Sequence, residues 1–246
     1  MKVVATYNIK GGVGKTATAV NIAYEAAHSG SCVLLWDLDP QAAASFFFRI
    51  KPHVEGGARR LIDSLGSLSP HIRATDHVGL DLVPADFSMR NLDLYLDTRK
   101  RPMRRIATLL EPLTDRYDIV ILDCPPGITL ASESVFVACD ALLVPTIPTT
   151  LSMRTLDQLT SFLAGADRPL VLSFVSMVDR RKKLHRDFVA ELTARADHHL
   201  PTVIASTSVI ERMGVERAPV AAFAPRSQSA IAYRALWRDI ADRLWP

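Results

Sequence analysis

The alternation of short apolar runs with segments of helical periodicity is the feature of this 246-residue sequence that most constrains its fold. Runs of this kind predict strands that are buried on both faces, and the segments between them are long enough to bring the chain back for parallel pairing. The pattern predicts an α/β fold with one domain over residues 1–246, a mostly parallel, twisted sheet flanked by helices on both faces. The predicted strands cover residues 2–8, 32–37, 80–84, 118–123, 141–145 and 170–175. The predicted helices cover residues 15–28, 91–113, 152–164, 184–196 and 227–244.

Composition excludes several other classes of protein. Hydrophobic residues make up 48% and charged residues 22% of the chain, which is typical of a globular domain rather than a disordered one. The longest apolar stretches are far shorter than the roughly 20 residues that cross a bilayer. The first residues enter a predicted strand without a leader pattern, so we expect a cytoplasmic protein. The formal net charge of +3 excludes little by itself.

A glycine-rich loop joins the first predicted strand to the first predicted helix. Its sequence over residues 10–16 is Lys-Gly-Gly-Val-Gly-Lys-Thr. Glycines let the backbone turn tightly and direct successive N–H groups at phosphate oxygens, and the helix N-terminus adds a positive dipole end. Lys15 is expected to reach the β- and γ-phosphates of a nucleotide, and the Thr16 hydroxyl is expected to bind Mg²⁺. The residues of this segment that are predicted to bind nucleotide are Lys10, Gly11, Gly12, Val13, Gly14, Lys15, Thr16 and Ala17.

One departure from the common phosphate-loop pattern indicates a narrower group. The pattern G-x-x-x-x-G-K-[ST] would place glycine at position 9, but this chain has Ile9 and an additional lysine, Lys10. The sequence K-G-G-x-G-K-[ST] resembles that of the deviant Walker A ATPases, the group of P-loop NTPases that includes ParA, MinD, the nitrogenase iron protein and the arsenite-pump ATPase. This resemblance implies ATP and Mg²⁺ as cofactors. It also implies that Lys10 crosses a dimer interface to the partner's nucleotide, so that Lys10 and Lys15 are both catalytic.

Acidic residues follow two of the other predicted strands. Asp37 and Asp39 lie in the run Asp-Leu-Asp-Pro-Gln, and Asp123 precedes Cys-Pro-Pro-Gly. A carboxylate at the C-terminal end of a strand points into the crevice in which α/β sheets bind ligands. Asp123 resembles the Walker B acid, the run from Asp37 resembles switch I of the ParA family, and residues 125–127 resemble its switch II. The resemblance implies that Asp37 and Asp123 bind Mg²⁺ through its water shell, and that Asp39 is catalytic because it orients the attacking water.

Three later segments favour ParA over its relatives. Residues 144–152 resemble the ParA segment in which a strand leads into a helix beside the nucleotide, and residues 176–181 resemble a segment near the base. Residues 224–234 resemble the C-terminal region, whose proline loop closes over adenine. By this resemblance Met177, Asp179 and Pro225 join the predicted nucleotide-binding residues. The resemblance covers nearly the whole chain and is weakest over residues 51–77.

Positive charge is concentrated in two clusters. Lys and Arg side chains on one surface neutralise phosphates, which gives DNA binding that is independent of sequence and sensitive to salt. The first cluster matches the position of such contacts in ParA-type ATPases, so its members are the predicted DNA-binding residues. An ordinary solvated face is the alternative for both clusters. The first basic cluster comprises Arg180, Arg181, Lys182, Lys183 and Arg186. The second basic cluster comprises Arg99, Lys100, Arg101, Arg104 and Arg105.

The resemblance implies an ATPase that works as a nucleotide-driven switch. Two ATP–Mg²⁺ units would lie between the subunits of a homodimer, and the dimer would bind non-specific DNA and so associate with the nucleoid. Hydrolysis, stimulated by a cargo-linked adaptor protein, would release the DNA. Such a cycle partitions or positions a plasmid, a chromosome, or a protein complex or organelle.

Other functions stay open on the sequence alone. A MinD-like ATPase would place an amphipathic helix on a membrane surface. Residues 227–244 carry such an apolar stripe, but we expect it to be a layer of the core. An ATP-dependent small-molecule enzyme of the dethiobiotin synthetase or cobyrinate amidase type would share the fold and the loop. A structural protein without hydrolysis is opposed by the presence of Lys15, Thr16 and the three carboxylates. An iron protein would need cysteines placed to share a cluster, whereas we expect the three cysteines to be small core residues.

Overall fold

The computed structural model describes residues 1–63, 67–165, 168–194 and 199–245. Within these residues, eight strands form one sheet. The strands are β1 (Lys2–Thr6), β2 (Val33–Asp37), β3 (Arg73–Ala74), β4 (Leu80–Val83), β5 (Ile119–Asp123), β6 (Ala141–Thr146), β7 (Leu170–Val178) and β8 (His199–Ala205). The helices are α1 (Lys15–His28), α2 (Ala43–Phe47), α3 (Gly57–Asp63), α4 (Leu92–Asp97), α5 (Arg105–Leu110), α6 (Leu130–Ala138), α7 (Thr150–Phe162), α8 (Lys183–Thr193), α9 (Ser208–Glu211), α10 (Met213–Glu216), α11 (Val220–Phe223) and α12 (Gln228–Leu244).

The sheet has the strand order β3-β4-β2-β5-β1-β6-β7-β8. Every neighbouring pair is parallel except β3 with β4, which is antiparallel. The parallel strands therefore all end at the same edge of the sheet. This arrangement confirms the predicted α/β fold with a mostly parallel sheet.

Helices cover both faces of the sheet, as predicted. One core contains side chains of α3, α4, α5, α6, α7 and α8 packed on one face. The other core contains side chains of α1, α2, α10, α11 and α12 packed on the opposite face. Successive side chains of the central strands point alternately into the two cores. For example, Val120 and Leu122 belong to the first core, and Ile119 and Ile121 belong to the second.

The last helix is a layer of the second core. Its Leu236, Ile240 and Leu244 are buried, and the helix packs against β8 and α1. The indole of Trp237 donates a hydrogen bond to Ser29 Oγ at 3.0 Å. The predicted apolar stripe therefore faces the protein interior. In the described part of the chain, no helix is both long and apolar enough to cross a bilayer.

The prediction of one helix over residues 91–113 was wrong. The segment divides into α4 and α5, with 3₁₀ turns at Pro102–Arg104 and Glu111–Leu113. Arg101 takes a left-handed conformation with φ of 59°, and proline cannot continue an α-helix from the preceding turn. The expectation that all cysteines are core residues was also wrong, because Cys32 is exposed while the other two are buried.

The edge strand β8 was not predicted. Its sequence, His-Leu-Pro-Thr-Val-Ile-Ala, contains Pro201, a residue that sheets tolerate at an edge. The pair His198-His199 follows a predicted helix, which favours a surface turn, but His199 is 5% exposed and pairs with Ser173 of β7. His198 and the predicted end of α8 at residue 196 lie outside the described residues. Residues 51–77 also contain α3 and β3, which the sequence did not indicate.

We predict that His199 makes the protein sensitive to mild acid. Burial lowers the pKa of His199 from 6.5 to about 4, so the unfolded chain takes up a proton more readily than the folded chain. This stabilising contribution is complete above pH 6.5 and is lost as the pH falls towards 4. Between pH 7 and pH 5 the loss is about 2 kcal/mol. Urea unfolding at several pH values should show a smaller loss for His199→Leu.

Replacement of the exposed His28 is the matched control for this prediction, and His28→Leu should follow the parent protein. Parallel loss of stability in the parent protein and in His199→Leu would show that proton uptake at His199 is not coupled to unfolding.

Candidate nucleotide site

Three polar side chains lie in register across the C-terminal edge of the sheet. Thr6 of β1 pairs with Asp123 of β5, and Asp123 pairs with Asp37 of β2. Neighbouring strands are about 4.8 Å apart, so the two carboxylates occupy adjacent positions. Both are completely buried. The predicted convergence of Asp37 and Asp123 on one edge is therefore observed.

The glycine-rich loop begins directly after β1 and ends at the first turn of α1. Asn8 anchors its start: Asn8 Nδ2 donates to Pro145 O at 2.9 Å, and Asn8 Oδ1 accepts from Lys10 N at 2.9 Å. Gly12 and Gly14 have φ values of 72° and 96°, in the left-handed region that favours glycine. A Cβ added at Gly14 would lie 3.1 Å from Ser176 Oγ. The loop therefore needs glycine at position 14 for its conformation and for close packing on β7.

Lys15 is buried at the start of α1, with 7% of its surface exposed. Its Nζ donates to Lys10 O at 3.0 Å, which curls the side chain back over the loop. Burial lowers the pKa of Lys15, and the nearby carboxylates of Asp123 and Asp39 oppose that change. The ammonium group is thus held inside the loop, where predicted phosphate contacts would occur.

The Lys10 side chain extends from the loop to helix α7. Its Nζ donates to Ser152 Oγ at 3.4 Å, near the N-terminus of α7. Ser152 is itself hydrogen-bonded to Thr149, the N-cap of that helix. Within this single chain the Lys10 side chain therefore contacts a helix terminus.

Asp37 is held by backbone and side-chain donors of Asp39 and Ser45. Ser45 of α2 donates to Asp37 Oδ2 from both its N and its Oγ, each at 2.8 Å. Asp39 N donates to Asp37 Oδ1 at 3.2 Å, and Ala85 N donates to Ser45 Oγ at 3.0 Å. Burial raises the pKa of Asp37 to about 6, although these hydrogen bonds favour the charged form. Ser45 therefore connects the carboxylate to α2 and to the end of β4.

Asp123 has an incomplete set of partners. Its Oδ1 accepts from Thr6 Oγ1 at 3.3 Å, whereas its buried Oδ2 has no hydrogen-bond partner among the described residues. Burial, followed by the charge of Asp37, raises the pKa of Asp123 well above its usual range, and the nearby Thr16 hydroxyl opposes this rise. An unpartnered buried carboxylate oxygen is costly. Hydrated Mg²⁺ beside it would supply both a positive charge and donors.

The residues fit Mg²⁺ that keeps much of its water shell. Among the described residues, no group of three or more His, Cys, Asp or Glu side chains is placed to hold a metal ion directly. Mg²⁺ usually retains several waters and binds through one or two protein oxygens together with phosphates. Thr16, Asp37 and Asp123 provide an oxygen set of that kind.

A cavity of about 780 Å³ opens beside the loop at this edge. Met177, with φ of 57° and 41% of its surface exposed, lies in the cavity wall. Asp179 and Pro225 do not line this cavity, although Asp179 lines an adjacent one that shares Met177. Val13 is buried, so its side chain faces the core. Predicted site residues in the wall are Gly11, Gly12, Gly14, Lys15, Thr16, Ala17, Asp39 and Met177.

The first basic cluster follows β7 directly beyond Met177. All five of its side chains are exposed. Arg181 makes two hydrogen bonds of 3.0 Å to the carboxylate of Asp179, which lowers the pKa of Asp179 to about 2. Arg186 donates to the carbonyl oxygens of Arg180 and Arg181. Within the described chain, Arg180, Lys182 and Lys183 form no ion pair and point outward.

The second basic cluster is partly used for packing. Arg99 forms an ion pair with Asp63 at the end of α3, and Arg105 Nε donates to Ile62 O at 2.7 Å. Lys100, Arg101 and Arg104 are exposed. This cluster therefore presents three of its five charges to solvent.

Sequence reasoning missed the residues that position the predicted site. Ser45, Thr6 and Asn8 bind the functional carboxylates or the loop through buried hydrogen bonds. Tyr7 and Gly127 were missed as well: Tyr7 Oη donates to Gly127 O at 2.9 Å and so ties residues 125–127 to the end of β1. The available signal was the presence of small polar residues where apolar strands end, but that signal does not identify the partner of each residue.

Comparison with known proteins places the chain in a family. The family described as AAA domain matches residues 1–170. An uncharacterized protein of Mycobacterium tuberculosis (strain ATCC 25618 / H37Rv) is 32% identical over 252 residues, which cover 98% of this chain and 79% of that protein. The sporulation initiation inhibitor protein Soj of Bacillus subtilis (strain 168) is 28% identical over 248 residues, which cover 98% of each chain.

Solved structures show the same fold. Apo McdA of Cyanothece superposes with a TM-score of 0.82 at 19% identity, covering 98% of this chain and 99% of that one. Cobyrinic acid a,c-diamide synthase from Mycobacterium smegmatis, with bound ADP and magnesium, superposes with a TM-score of 0.81 at 25% identity, covering 99% and 95% of the two chains. Fold and loop together define a P-loop NTPase. The chain belongs to the AAA domain family and, within it, to the ParA/MinD-type ATPases.

We predict that Gly14→Ala destabilises the nucleotide-free protein by about 1–2 kcal/mol, because an L-residue pays that amount in the left-handed region. Gly11→Ala is the matched control in the same loop. Gly11 does not have a positive φ, and a Cβ there meets no atom within 4 Å. Urea unfolding of both variants measures the difference. Equal stability of the two variants would contradict the conformational requirement at Gly14.

Proposed function

We propose that this protein is a Mg²⁺-dependent ATPase that dimerises with ATP bound, binds non-specific DNA in that state, and positions an intracellular cargo. The observation that carries the proposal is the convergence at one sheet edge of the glycine-rich loop, buried Lys15 and three aspartates. Met177 is in the wall of the nucleotide cavity, and the first basic cluster follows it and lines an adjacent cavity that shares Met177. Membership in the ParA/MinD-type family supports ATP as the nucleotide.

Each residue of the site has a distinct part in this proposal. The N–H groups of residues 11–16 bind the phosphates, and the Lys15 ammonium neutralises charge that develops on the transferred phosphoryl group. Mg²⁺, when bound, would withdraw charge from the phosphate oxygens. The Thr16 hydroxyl would bind the ion, and the carboxylates of Asp37 and Asp123 would hold its water shell. Asp39 lines the open cavity, where it can accept a hydrogen bond from the attacking water.

Lys10 is proposed to act on the partner subunit's nucleotide. Its contact with Ser152 is long, at 3.4 Å, and is weak by hydrogen-bond criteria. An exchange of that contact for a charge-assisted bond to a phosphate favours the dimer. ATP binding would thereby be coupled to dimerisation, and loss of the γ-phosphate would release the subunits. Residues 125–127 are linked to the loop by Gly127 N, which donates to Ile9 O at 3.1 Å, and are placed to transmit that loss.

DNA binding is assigned to the first basic cluster. Its three unpaired cations carry charge that no described carboxylate neutralises, and phosphates of any sequence would satisfy them. Dimerisation would bring two such clusters onto one surface and increase the effective affinity. A cargo-linked adaptor that stimulates hydrolysis completes the proposed cycle. This step is supported by family membership and not by a described contact.

A small-molecule enzyme is the second candidate. The structural similarity to cobyrinic acid a,c-diamide synthase, at a TM-score of 0.81 and 25% identity, favours it. Such an enzyme would hydrolyse ATP in step with an acceptor substrate and would not need DNA. Retention on non-specific duplex DNA with ATP, and release with ADP, separates the two candidates.

We predict opposite outcomes for two substitutions in the site. Lys15→Gln should abolish nucleotide binding, because a buried cation that faces the phosphates is lost. Asp39→Ala should keep nucleotide affinity and lower the hydrolysis rate by about 10²–10⁴-fold, which is the usual contribution of a group that positions or activates a nucleophile. Fluorescent-nucleotide titration and phosphate release measure the two effects. Unchanged hydrolysis in Asp39→Ala would remove Asp39 from catalysis.

We predict that the triple variant Arg180→Ala, Lys182→Ala, Lys183→Ala loses ATP-dependent DNA retention while ATP affinity is unchanged. The slope of log K against log salt should fall by about 5, since the dimer loses six phosphate contacts and each contributes about 0.9. The matched control removes the three exposed charges of the second basic cluster, Lys100, Arg101 and Arg104. If the control loses DNA and the first variant does not, the DNA surface belongs to the second basic cluster.

A further inference from the structure

Another cavity, the second cavity, lies beside α2 and shares the wall residues Gln41 and Ala43 with the candidate nucleotide cavity. Its volume is about 490 Å³, within the range of sites that hold small organic molecules. Three cationic side chains line it, and the described residues of its wall include no carboxylate. The lining residues are Gln41, Ala42, Ala43, Phe46, Arg49, Ile50, Lys51, Pro52 and Arg217.

The cations of this second cavity are available to an anion. Arg217 is fixed by its own contacts: Nε donates to Phe46 O at 3.2 Å, and the guanidinium lies 4.6 Å from the centroid of the Phe46 ring. Lys51 is exposed and forms no ion pair within the described residues. Arg49 pairs with Asp76 at 3.5 Å, but both side chains are at least half exposed. Such a surface pair contributes little, so a bound anion can compete for Arg49.

Three residues in the wall of the same cavity have a left-handed backbone conformation. Ala42, Arg49 and Arg217 have φ values of 55°, 59° and 48°. These are three of the five non-glycine residues with positive φ in the described chain, and all three line this cavity. Left-handed residues of this kind persist where the surrounding structure holds them, and they concentrate at functional sites. The left-handed residues Arg49 and Arg217 thus occur in the wall of one cavity.

The remaining wall is apolar. Phe46 is 45% exposed, and Ile50 and Pro52 extend the apolar surface beside it. A guanidinium presents paired N–H donors that match a phosphate or carboxylate, while an aromatic wall suits a flat apolar group. We propose that this cavity binds a small organic anion, a phosphate or carboxylate group carried on an apolar body.

The cavity is placed to act on the nucleotide site. Gln41 and Ala43 line both cavities, and α2 presents Phe46 to the second cavity and Phe47 to the first. The residue before them, Ser45, holds Asp37 by two hydrogen bonds of 2.8 Å. A ligand that fixes or moves α2 therefore changes the setting of Asp37. Coupling between the two sites must be reciprocal, and this second step rests on the proposed function.

Binding is tested with phenyl phosphate, which has an aromatic body and one phosphate group. Calorimetric titration compares the parent protein with the double variant that carries Arg217→Ala and Lys51→Ala. The matched control carries Arg226→Ala and Arg238→Ala, which remove the same charge from exposed positions. The double variant should bind at least tenfold more weakly, and the control should match the parent. The Lys15→Gln protein should keep this affinity, which separates the cavity from the phosphate loop. Lys51→Glu, at an exposed position without contacts, replaces the double variant if that variant does not fold.

The outcomes are decisive for the binding site. Equal affinity in the double variant and the control overturns the proposal, as does an affinity weaker than about 10 mM in the parent. Benzoate tests the carboxylate form of the ligand, and inorganic phosphate, which lacks the apolar body, should bind more weakly. If the double variant loses duplex DNA while phenyl phosphate binding is unchanged, the surface serves nucleic acid and the proposal fails.

Coupling is tested with a fluorescent ADP analogue. Saturating phenyl phosphate should change its dissociation constant by about fivefold or more in the parent protein, and the double variant should show no change. Phenyl phosphate binding without any change in ADP affinity overturns the coupling step. If the ADP analogue does not bind at all, the proposed function fails while the binding result stands.

Discussion

The burial of two carboxylates on adjacent strands is the interaction on which the rest of this site depends. Asp37 and Asp123 pair in register at the ends of β2 and β5, and both are fully buried. Burial in a medium of low dielectric raises the pKa of both carboxyl groups, and the charge of Asp37 raises that of Asp123 further. The fold tolerates the pair because Ser45 and Thr6 donate hydrogen bonds to it and Lys15 lies nearby. Each of these partners belongs to a different element, so the pair organises the whole edge of the sheet.

This arrangement explains why a divalent cation and a phosphate group are expected to bind at the same edge of the sheet. The site carries a carboxylate oxygen on Asp123 that has no hydrogen-bond partner among the described residues, and a buried ammonium on Lys15 whose hydrogen bond goes to its own loop. A divalent cation relieves the first and a phosphate relieves the second. The charge of Lys15 influences the pKa of Asp123 in the folded protein. A phosphate bound at Lys15 therefore changes the electrostatic field at Asp123, and a cation bound at Asp123 changes the field at Lys15. Nucleotide and metal are therefore expected to bind as a unit at this edge.

The sequence predicted those parts of the molecule that depend on contiguous residues. The buried central strands and the loop of residues 10–16 could be predicted because hydrophobic periodicity and glycine content are visible within a few consecutive residues. The pattern did not show that the helix predicted over residues 91–113 breaks at Arg101, because a left-handed arginine leaves no signal in the composition. It also did not show β8, whose sequence contains Pro201. Ser45 was missed because its contact with Asp37 depends on the path that the chain takes from β2 through α2, which the sequence pattern does not show. Asp179 and Pro225 were placed by resemblance alone, and neither lines the main cavity.

The short helix α2 is the element in which these relationships meet. Five residues are too few for a helix to be stable by itself, so the position of α2 depends on what it contacts. On one side Ser45 is bonded to Asp37 and Ala85, and on the other Phe46 packs under Arg217. A rigid long helix would hold Asp37 in one place whatever was bound, whereas a short helix held by side-chain contacts can shift with its ligands. The sequence Asp-Pro-Gln-Ala-Ala-Ala-Ser-Phe thus joins the predicted catalytic residue Asp39 to the wall of the second cavity, and in our proposal a change at Phe46 or Arg217 reaches Asp37 through the neighbouring Ser45.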